Sequence, residues 1–318
     1  MLEERFYSLG RYLKTTFDER IHKINVEVPP GDAPGPYSLC AGGSLDARHE
    51  EGGAMSVAEQ VAVSKARVRQ RFKLGKFVVG VHSAPSAPVS LAALGAAVEE
   101  LLKDNEVIGL SFTILPNSVT PEMAKFLKDE SKYVSTWLEP GLHTIHDETL
   151  ARIGLSHKYA QAKDALLPLA FSTVHVAPHV VFGLPGETPE MMRQTMAEIS
   201  RLWFAGVNIH NFYVARNAPF EVEYAEGRIK LLGREEYVGL VCDFIELLPP
   251  HSVLHGIVDS VGEDRLVAPD WMLLRKENTD LIIAELEKRG AMQGCKLNLM
   301  RETGLSTTPA HAGLGSNE

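Results

Sequence analysis

The chain has 318 residues, of which 45% are hydrophobic and 23% are charged, and its formal net charge is -9. This composition is typical of a soluble globular protein, and the length fits one large α/β domain. The sequence contains no run of 18 apolar residues, so no membrane span is predicted. The negative charge argues against non-specific binding to nucleic acid, which depends on Lys and Arg neutralising phosphates. The first 20 residues lack the apolar centre of a signal peptide, so we expect a cytoplasmic location.

The hydrophobic pattern alternates between strands and helices along the chain. Strands are predicted at residues 22–28, 76–83, 107–114, 133–142, 173–183 and 207–215, with a seventh at 252–260. Ser56 and Glu59 form a capping-box pattern, and Thr120 and Thr188 each precede a Pro at the first helical position. A last helix is predicted at residues 278–290. Several strands are apolar on both faces, which predicts a parallel sheet covered by helices.

Candidate binding residues follow the predicted strands, because ligands of such sheets bind at the C-terminal ends of the strands. Glu139 is a carboxylate in an apolar strand, and we expect it to meet either a ligand or a basic side chain across the barrel. Gly183, Pro185 and Gly186 end the fifth predicted strand. Their turn could bring bare backbone close to a flat ligand, or it could be a purely structural turn.

Histidines and cysteines raise the question of a metal site. His175 and His179 are four residues apart on one predicted strand and therefore face the same side. A metal-dependent hydrolase would need three converging ligands, whereas core or pocket histidines are the simpler interpretation. Cys40, Cys242 and Cys295 are far apart and form no CxxC pair, so neither a disulfide framework nor a zinc site is predicted.

Several segments together resemble the radical S-adenosylmethionine (SAM) proteins of the YhcC type, which are relatives of the elongator-type catalytic barrel. They are WLEPGLHTIHDETL at 137–150, APHVVFGLPGET at 177–188, EEYVGLVCDFIELLPP at 235–250, LVAPDW at 266–271 and ELEKRGAMQGCK at 285–296. The resemblance implies an α/β fold, a partial six-stranded (β/α) barrel, or partial TIM barrel, at residues 21–260. An N-terminal helix within residues 1–20 would precede it. A C-terminal helical extension at 261–296 and a disordered tail at 297–318 would follow.

The resemblance also implies a cofactor site. In this family three cysteines after the first strand hold a 4Fe-4S cluster, and the cluster binds SAM and reduces it to a 5'-deoxyadenosyl radical. Counted from His22, the three cysteine positions fall on Asp32, Ser44 and Ala47 of this chain. We therefore expect that the cluster is absent and that the protein is a pseudoenzyme in radical chemistry.

What the resemblance leaves in place is the nucleoside side of the SAM pocket. By carry-over, Glu139 would hydrogen-bond the polar end of the cofactor, His179 would line the pocket, and Gly183, Pro185 and Gly186 would pack along the adenine. We expect binding of SAM or another small adenosyl ligand. The alternatives are an active radical SAM enzyme with an atypical cluster site, a hydrolase using barrel-mouth histidines, and a heteromeric partner of an intact relative.

Overall fold

The computed structural model describes residues 5–28, 55–72, 75–83, 90–259 and 261–297. The strands are β1 His22–Val28, β2 Phe77–Ser83, β3 Val107–Ile114, β4 Ser135–Pro140, β5 His175–Val176, β6 His179–Phe182, β7 Gly206–Asn211, β8 Val214–Ala215, β9 Val253–Gly256 and β10 Leu266–Ala268. The helices are α1 Leu9–Phe17, α2 Val57–Arg71, α3 Leu91–Leu101, α4 Pro121–Glu130, α5 Asp147–Arg152, α6 Tyr159–Ala170, α7 Pro189–Arg201, α8 Phe220–Ala225, α9 Arg234–Leu247 and α10 Arg275–Lys288.

Strands β1 to β5 form a parallel sheet in sequence order, and β6, β7 and β9 form a second parallel group. The two groups continue each other, because His143 after β4 bridges Val180 on β6 and the Asn208 amide on β7 donates to the Pro178 carbonyl. The predicted α/β class and partial barrel are confirmed. The seventh predicted strand is also present, as β9.

The fifth predicted strand, residues 173–183, is not continuous as expected. It divides into β5 and β6 around Ala177 and Pro178. Proline has no amide hydrogen to donate to a neighbouring strand, so the regular ladder stops there. The Ala177 amide still donates to the Leu138 carbonyl, which keeps both halves along the same edge of β4.

The predicted helix starts are confirmed by their caps. The Glu59 amide donates to Ser56 Oγ, and the Ser56 amide donates to Glu59 Oε2, so the capping box is complete. Thr120 and Thr188 each accept a hydrogen bond from an amide in the first turn of α4 and α7, with Pro at the first helical position. The last predicted helix begins at Arg275, three residues earlier than the pattern indicated.

Helix α1 packs against the N-terminal end of the barrel. The Leu254 amide on β9 donates to the Tyr7 carbonyl, and Leu9 and Tyr12 pack on Trp137 of β4. Trp137 contacts the Tyr12 ring at a centroid distance of 5.2 Å and the His255 ring at 4.5 Å. This aromatic layer lies below the barrel interior, so polar side chains of the next layer face away from it towards the C-terminal ends of the strands.

Helices α9 and α10 pack together outside the barrel. Glu246 on α9 is buried and pairs with Arg289 and with Lys296, which holds the end of the described chain against the domain. The predicted tail beyond residue 297 lies outside the described residues. Among the residues that are described, no helix has the length and apolar character needed to cross a membrane.

Candidate functional site

Four strands direct polar side chains towards the carboxylate of Glu139 on β4. Its Oε1 atom accepts hydrogen bonds from the Lys23 ammonium on β1 and the Ser111 hydroxyl on β3. His255 Nδ1 on β9 lies 3.3 Å from Oε1, and His179 Nε2 on β6 lies 3.3 Å from Oε2. These five residues are called the Glu139 cluster below. Because β2 and β3 separate β1 from β4 in the sheet, the Lys23 contact crosses the concave face of the barrel.

Gly80 on β2 makes room for the lysine. A Cβ atom at this position would lie 3.0 Å from Lys23 Cε and 2.4 Å from Asn25 Oδ1. The second distance is well inside van der Waals contact, so a larger residue would displace these side chains. Gly80 is therefore needed for the packing of the Glu139 cluster, although it has no side chain that takes part in the hydrogen bonds.

The Glu139 cluster keeps a buried carboxylate charged. Only 1% of Glu139 is exposed. Burial alone would raise the pKa of Glu139, but the charge of Lys23 and the contacts with His255 and His179 hold it well below its usual range. Burial lowers the pKa of His179 to about 4, although the hydrogen bond with Glu139 opposes that shift. The sequence predicted that Glu139 meets either a ligand or a basic side chain across the barrel. In the structure it pairs with a basic side chain, Lys23.

A second row of polar groups extends from His179 across β7. His179 Nδ1 lies 2.9 Å from His210 Nε2, and the two rings stack with centroids 4.7 Å apart. His210 Nδ1 lies 2.5 Å from Asp259 Oδ1. Asp259 follows β9 and is 6% exposed. The buried hydrogen-bonded row therefore runs from Asp259 through two imidazoles to Glu139.

His143 continues β4 in a left-handed conformation, with φ of 64°. Its Nδ1 lies 2.6 Å from the Gly141 carbonyl, and its backbone pairs with His179 and Val181. Burial lowers the pKa of His143 to about 3, so the ring is neutral near pH 7 and its Nδ1 donates to that carbonyl. His143 is thus a satisfied structural histidine at the strand end.

The glycine turn lies at the rim, beyond the Glu139 cluster. Gly183 follows β6 four residues after His179, which corresponds to roughly 13 Å along a strand. Gly183 and Gly186 have φ values of 81° and 92°, which explains why glycine occupies both positions. A Cβ atom on Gly183 would lie 2.8 Å from Leu232 Cγ, whereas one on Gly186 would meet nothing within 4 Å. The structure therefore brings Glu139 and His179 together and places the predicted adenine-side turn, including the buried Pro185, apart from them.

Comparisons with known proteins agree on one family. A model of the Radical SAM C-terminal domain matches residues 204–288. YtqA of Bacillus subtilis is 26% identical over 300 residues, which are 92% of each chain. YhcC of Escherichia coli is 26% identical over 219 residues, or 68% of this chain and 69% of its own. These matches support the resemblance to the radical SAM proteins of the YhcC type.

The fold is similar to that of a protein of known structure. Elp3 of Methanocaldococcus infernus, with an N-terminal deletion, aligns with a TM-score of 0.64 at 14% identity. The match covers 89% of this chain and 68% of the other. At that identity the likeness establishes a shared fold, and it confirms the barrel type that the sequence resemblance implied.

The cluster positions that the resemblance assigns to this chain, Asp32, Ser44 and Ala47, lie outside the described residues. The fit of a cluster can still be tested with the cysteines. The protein has three, and Cys242 lies on α9 with Sγ 3.6 Å from the Ile282 carbonyl of α10. Burial raises the pKa of Cys242 to about 12, so this thiol stays protonated. Cys242 therefore does not fit the role of a cluster thiolate, which leaves fewer than three cysteines for a cysteine-ligated cluster.

The described part of the chain contains no set of metal ligands that would support the hydrolase alternative. There, no three His, Cys, Asp or Glu side chains are arranged so that they could hold a metal ion. His175 contacts the Trp137 ring at a centroid distance of 4.8 Å in the aromatic layer, while His179 belongs to the polar row above it. The two histidines that suggested a metal site take part in different layers.

Sequence reasoning did not identify most partners of Glu139, namely Lys23, Ser111 and His255, nor Asp259, the partner of His210. One signal for Lys23 was present, because polar residues alternate with buried apolar residues along β1, the pattern of a strand with one polar face. No corresponding pattern marks Asp259, which enters the row from the loop after β9.

Proposed function

We propose that this YhcC-type radical SAM protein has lost the cysteine-ligated 4Fe-4S cluster and its radical chemistry, and that its barrel binds SAM or another small adenosyl ligand. The observation that supports the proposal is a contrast between two sites. Cys242 is buried and protonated on a helix outside the barrel, whereas the polar interior around Glu139 is charged.

The Glu139 cluster supports ligand binding because a buried ion pair contributes little net stability to the fold. A buried ion pair is often no better for stability than well-packed apolar side chains of similar volume. Around it, Asn25 Oδ1 and Asp259 Oδ2 are buried and have no hydrogen-bond partner among the described residues. Buried polar atoms are normally satisfied, so these two atoms offer bonding capacity to a polar ligand.

In this proposal different residues bind the two ends of the ligand. Glu139 and His179 would hold the polar amino acid end, and Gly183, Pro185 and Gly186 would line the adenine, as the family resemblance implies. In an intact relative SAM supplies a 5'-deoxyadenosyl radical when the cluster reduces it. Without iron to anchor the amino acid end, the affinity for SAM would rest on the protein's own polar groups and should be weaker than in a cluster-containing relative.

Anaerobic reconstitution with iron and sulfide tests the loss of the cluster. We expect no stoichiometric iron and no thiolate-to-iron charge-transfer absorbance, because with Cys242 buried on α9 fewer than three thiolates would be available to one cluster. Escherichia coli YhcC, treated in parallel, provides a comparison for the procedure. One 4Fe-4S cluster per chain of the present protein would overturn this half of the proposal and favour the alternative of an enzyme with an atypical cluster site.

Titration calorimetry with SAM tests the ligand. We expect binding to the unmodified protein and its loss in Glu139→Ala, with Glu139→Gln as a variant of conserved shape. Glu246→Gln is the matched control, because Glu246 is equally buried but lies outside the barrel, on α9. If the unmodified protein does not bind SAM or adenosine, or if both Glu139 variants bind as well as the control, the ligand proposal is wrong.

A further inference from the structure

Two stacked imidazoles connect two buried carboxylates inside the barrel. The row has three links, Asp259 Oδ1 to His210 Nδ1, His210 Nε2 to His179 Nδ1, and His179 Nε2 to Glu139 Oε2. Their lengths are 2.5, 2.9 and 3.3 Å. The exposed fractions of all four residues are 8% or less. Water therefore contributes little to the protonation of this row, and the side chains must supply the protons themselves.

The three hydrogen bonds of the row contain one proton more than two neutral imidazoles can supply. Each hydrogen bond needs one proton between its two atoms, so three links need three protons. A neutral imidazole carries a single N–H, and two of them supply only two. If both carboxylates were ionised and both rings neutral, one link would place two lone pairs face to face. The third proton must reside on an imidazole or on a carboxylate.

We infer that Asp259, His210 and His179 form a proton relay that ends on Glu139 and stores this third proton inside the barrel. In the first state His210 is an imidazolium beside the Asp259 carboxylate. His210 Nε2–H donates to His179 Nδ1, and His179 Nε2–H donates to the ionised Glu139. In the second state His210 and His179 are neutral with their protons on Nδ1, and Glu139 is a carboxylic acid.

The two states interconvert by two short transfers. One proton moves from His210 Nε2 to His179 Nδ1, and another moves from His179 Nε2 to Glu139 Oε2. All three hydrogen bonds exist before and after, and the number of protons is unchanged. In a low-dielectric interior the hydrogen bonds of such a row polarise and strengthen one another.

Lys23 selects between the states. With its ammonium on Glu139 Oε1, the ionised form of Glu139 is favoured and the stored proton resides on His210. The low pKa that burial gives His179 agrees with a neutral ring in the middle of the row. The other titratable groups that face the row are His143 after β4, Tyr237 on α9 and His255 on β9, and the Ser111 hydroxyl on β3 donates a hydrogen bond to Glu139.

The relay allows Glu139 to act as an acceptor or as a donor without a proton from solvent. An oxygen-bearing anionic group, such as the carboxylate of an amino acid, would draw Lys23 towards itself and meet Glu139 as a protonated donor. This use of the relay rests on the proposed function, because SAM carries such a carboxylate. His210 and Asp259 are then positioning residues, which act on the ligand through Glu139.

Imidazole ¹⁵N NMR of the histidine-labelled protein tests the relay without any ligand. At pH 7 we expect His210 to have the pattern of an imidazolium, with both ring nitrogens protonated, and His179 that of a neutral ring. Lys23→Met should move the stored proton to Glu139 and leave both rings neutral with Nδ1–H. Two neutral rings in the unmodified protein would overturn the relay, and so would an unchanged His210 pattern in Lys23→Met.

Asp259→Asn should remove the imidazolium pattern, because the neutral amide no longer balances the charge of His210. His251→Gln is the control, since His251 stacks on Trp203 outside the barrel and should leave the other rings unchanged. Persistence of the imidazolium in Asp259→Asn would contradict the relay. His210→Gln and His179→Gln serve to assign the ring signals, because each variant lacks the signals of one histidine. The protonation states themselves are measured in the unmodified protein, so the test does not depend on the stability of Lys23→Met or Asp259→Asn.

Calorimetry with SAM in buffers of different ionisation enthalpy separates the relay from the proposed function. The unmodified protein should exchange almost no protons with solvent on binding, whereas Asp259→Asn should take up about one. Equal proton uptake in the two proteins would overturn the relay. If SAM binds to neither, the proposed function fails, and the ring spectra still decide whether the relay exists.

Discussion

Glu139→Gln should lower the stability of the protein near neutral pH, because it removes one partner of a buried ion pair. Breaking such a pair typically costs about 3–5 kcal/mol. The side chain of Lys23 is 19% exposed and can recover part of its hydration, so we expect the lower end, about 3 kcal/mol. That is a large share of a typical total of about 5–15 kcal/mol. Urea unfolding at pH 7, followed by circular dichroism, measures the loss.

The dependence of this loss on pH follows from the sign of the pKa shift. The pKa of Glu139 in the folded protein is held well below its usual range, so its stabilising effect is full above the unfolded-state pKa of about 4.3. Below that pH the effect declines by about 1.4 kcal/mol per unit until the folded pKa is reached. The difference between the unmodified protein and the variant should therefore be constant from pH 5 to 8 and shrink at pH 3.5.

Glu246→Gln controls for the general effect of removing a buried carboxylate. Its partners Arg289 and Lys296 are 25% and 47% exposed, so they lose less when the charge is removed, and we expect a smaller loss of stability. A loss in Glu139→Gln that is no larger than this control, or that is the same at pH 3.5 and pH 7, would refute the reasoning.

Two further predictions concern the turn and the thiols. Gly183→Ala and Gly186→Ala each place Ala in a left-handed backbone conformation, at a cost of about 1–2 kcal/mol. Gly183→Ala should lose about 1–3 kcal/mol more in urea unfolding, because its Cβ meets Leu232, and equal losses would contradict this packing. In the folded protein at pH 8 an aromatic disulfide reagent should label the exposed Cys295 and leave the buried Cys242 unreacted, as peptide mass spectrometry can check. Rapid labelling of Cys242 would reopen the case for a thiolate at that position.

The strand positions were predictable because burial of one or both faces of a strand leaves a local pattern in the sequence. Residues 107–114 match β3, and residues 22–28 match β1. Local patterns also explain the main error of the prediction. The apolar run across residues 173–183 concealed Pro178, whose effect on the ladder outweighs the hydrophobicity of its neighbours.

The site was predictable only in part, because its contacts join distant segments. Glu139 was identifiable as a carboxylate in an apolar strand. Its partner Lys23 is 116 residues away in sequence, and the pairing depends on the number of strands between β1 and β4 and on Gly80 in one of them. Periodicity determines which face a side chain occupies, but not which residue it meets across a barrel. The same limit applies to Asp259 and His210, which are 49 residues apart.

If the chain has lost its iron–sulfur cluster, as proposed, the Glu139 cluster has an additional task when the ligand is SAM. In a cluster-containing relative the iron binds the amino acid end of SAM. In this chain, hydrogen bonds and charges in the barrel would have to orient that end. A zwitterionic group presents both a cation and an anion, and a fixed carboxylate can satisfy only the first. The relay gives Glu139 access to a protonated form, and Lys23 supplies a cation for the ligand's carboxylate. A buried row that can redistribute one proton is therefore better suited to such a ligand than an ion pair of fixed charge.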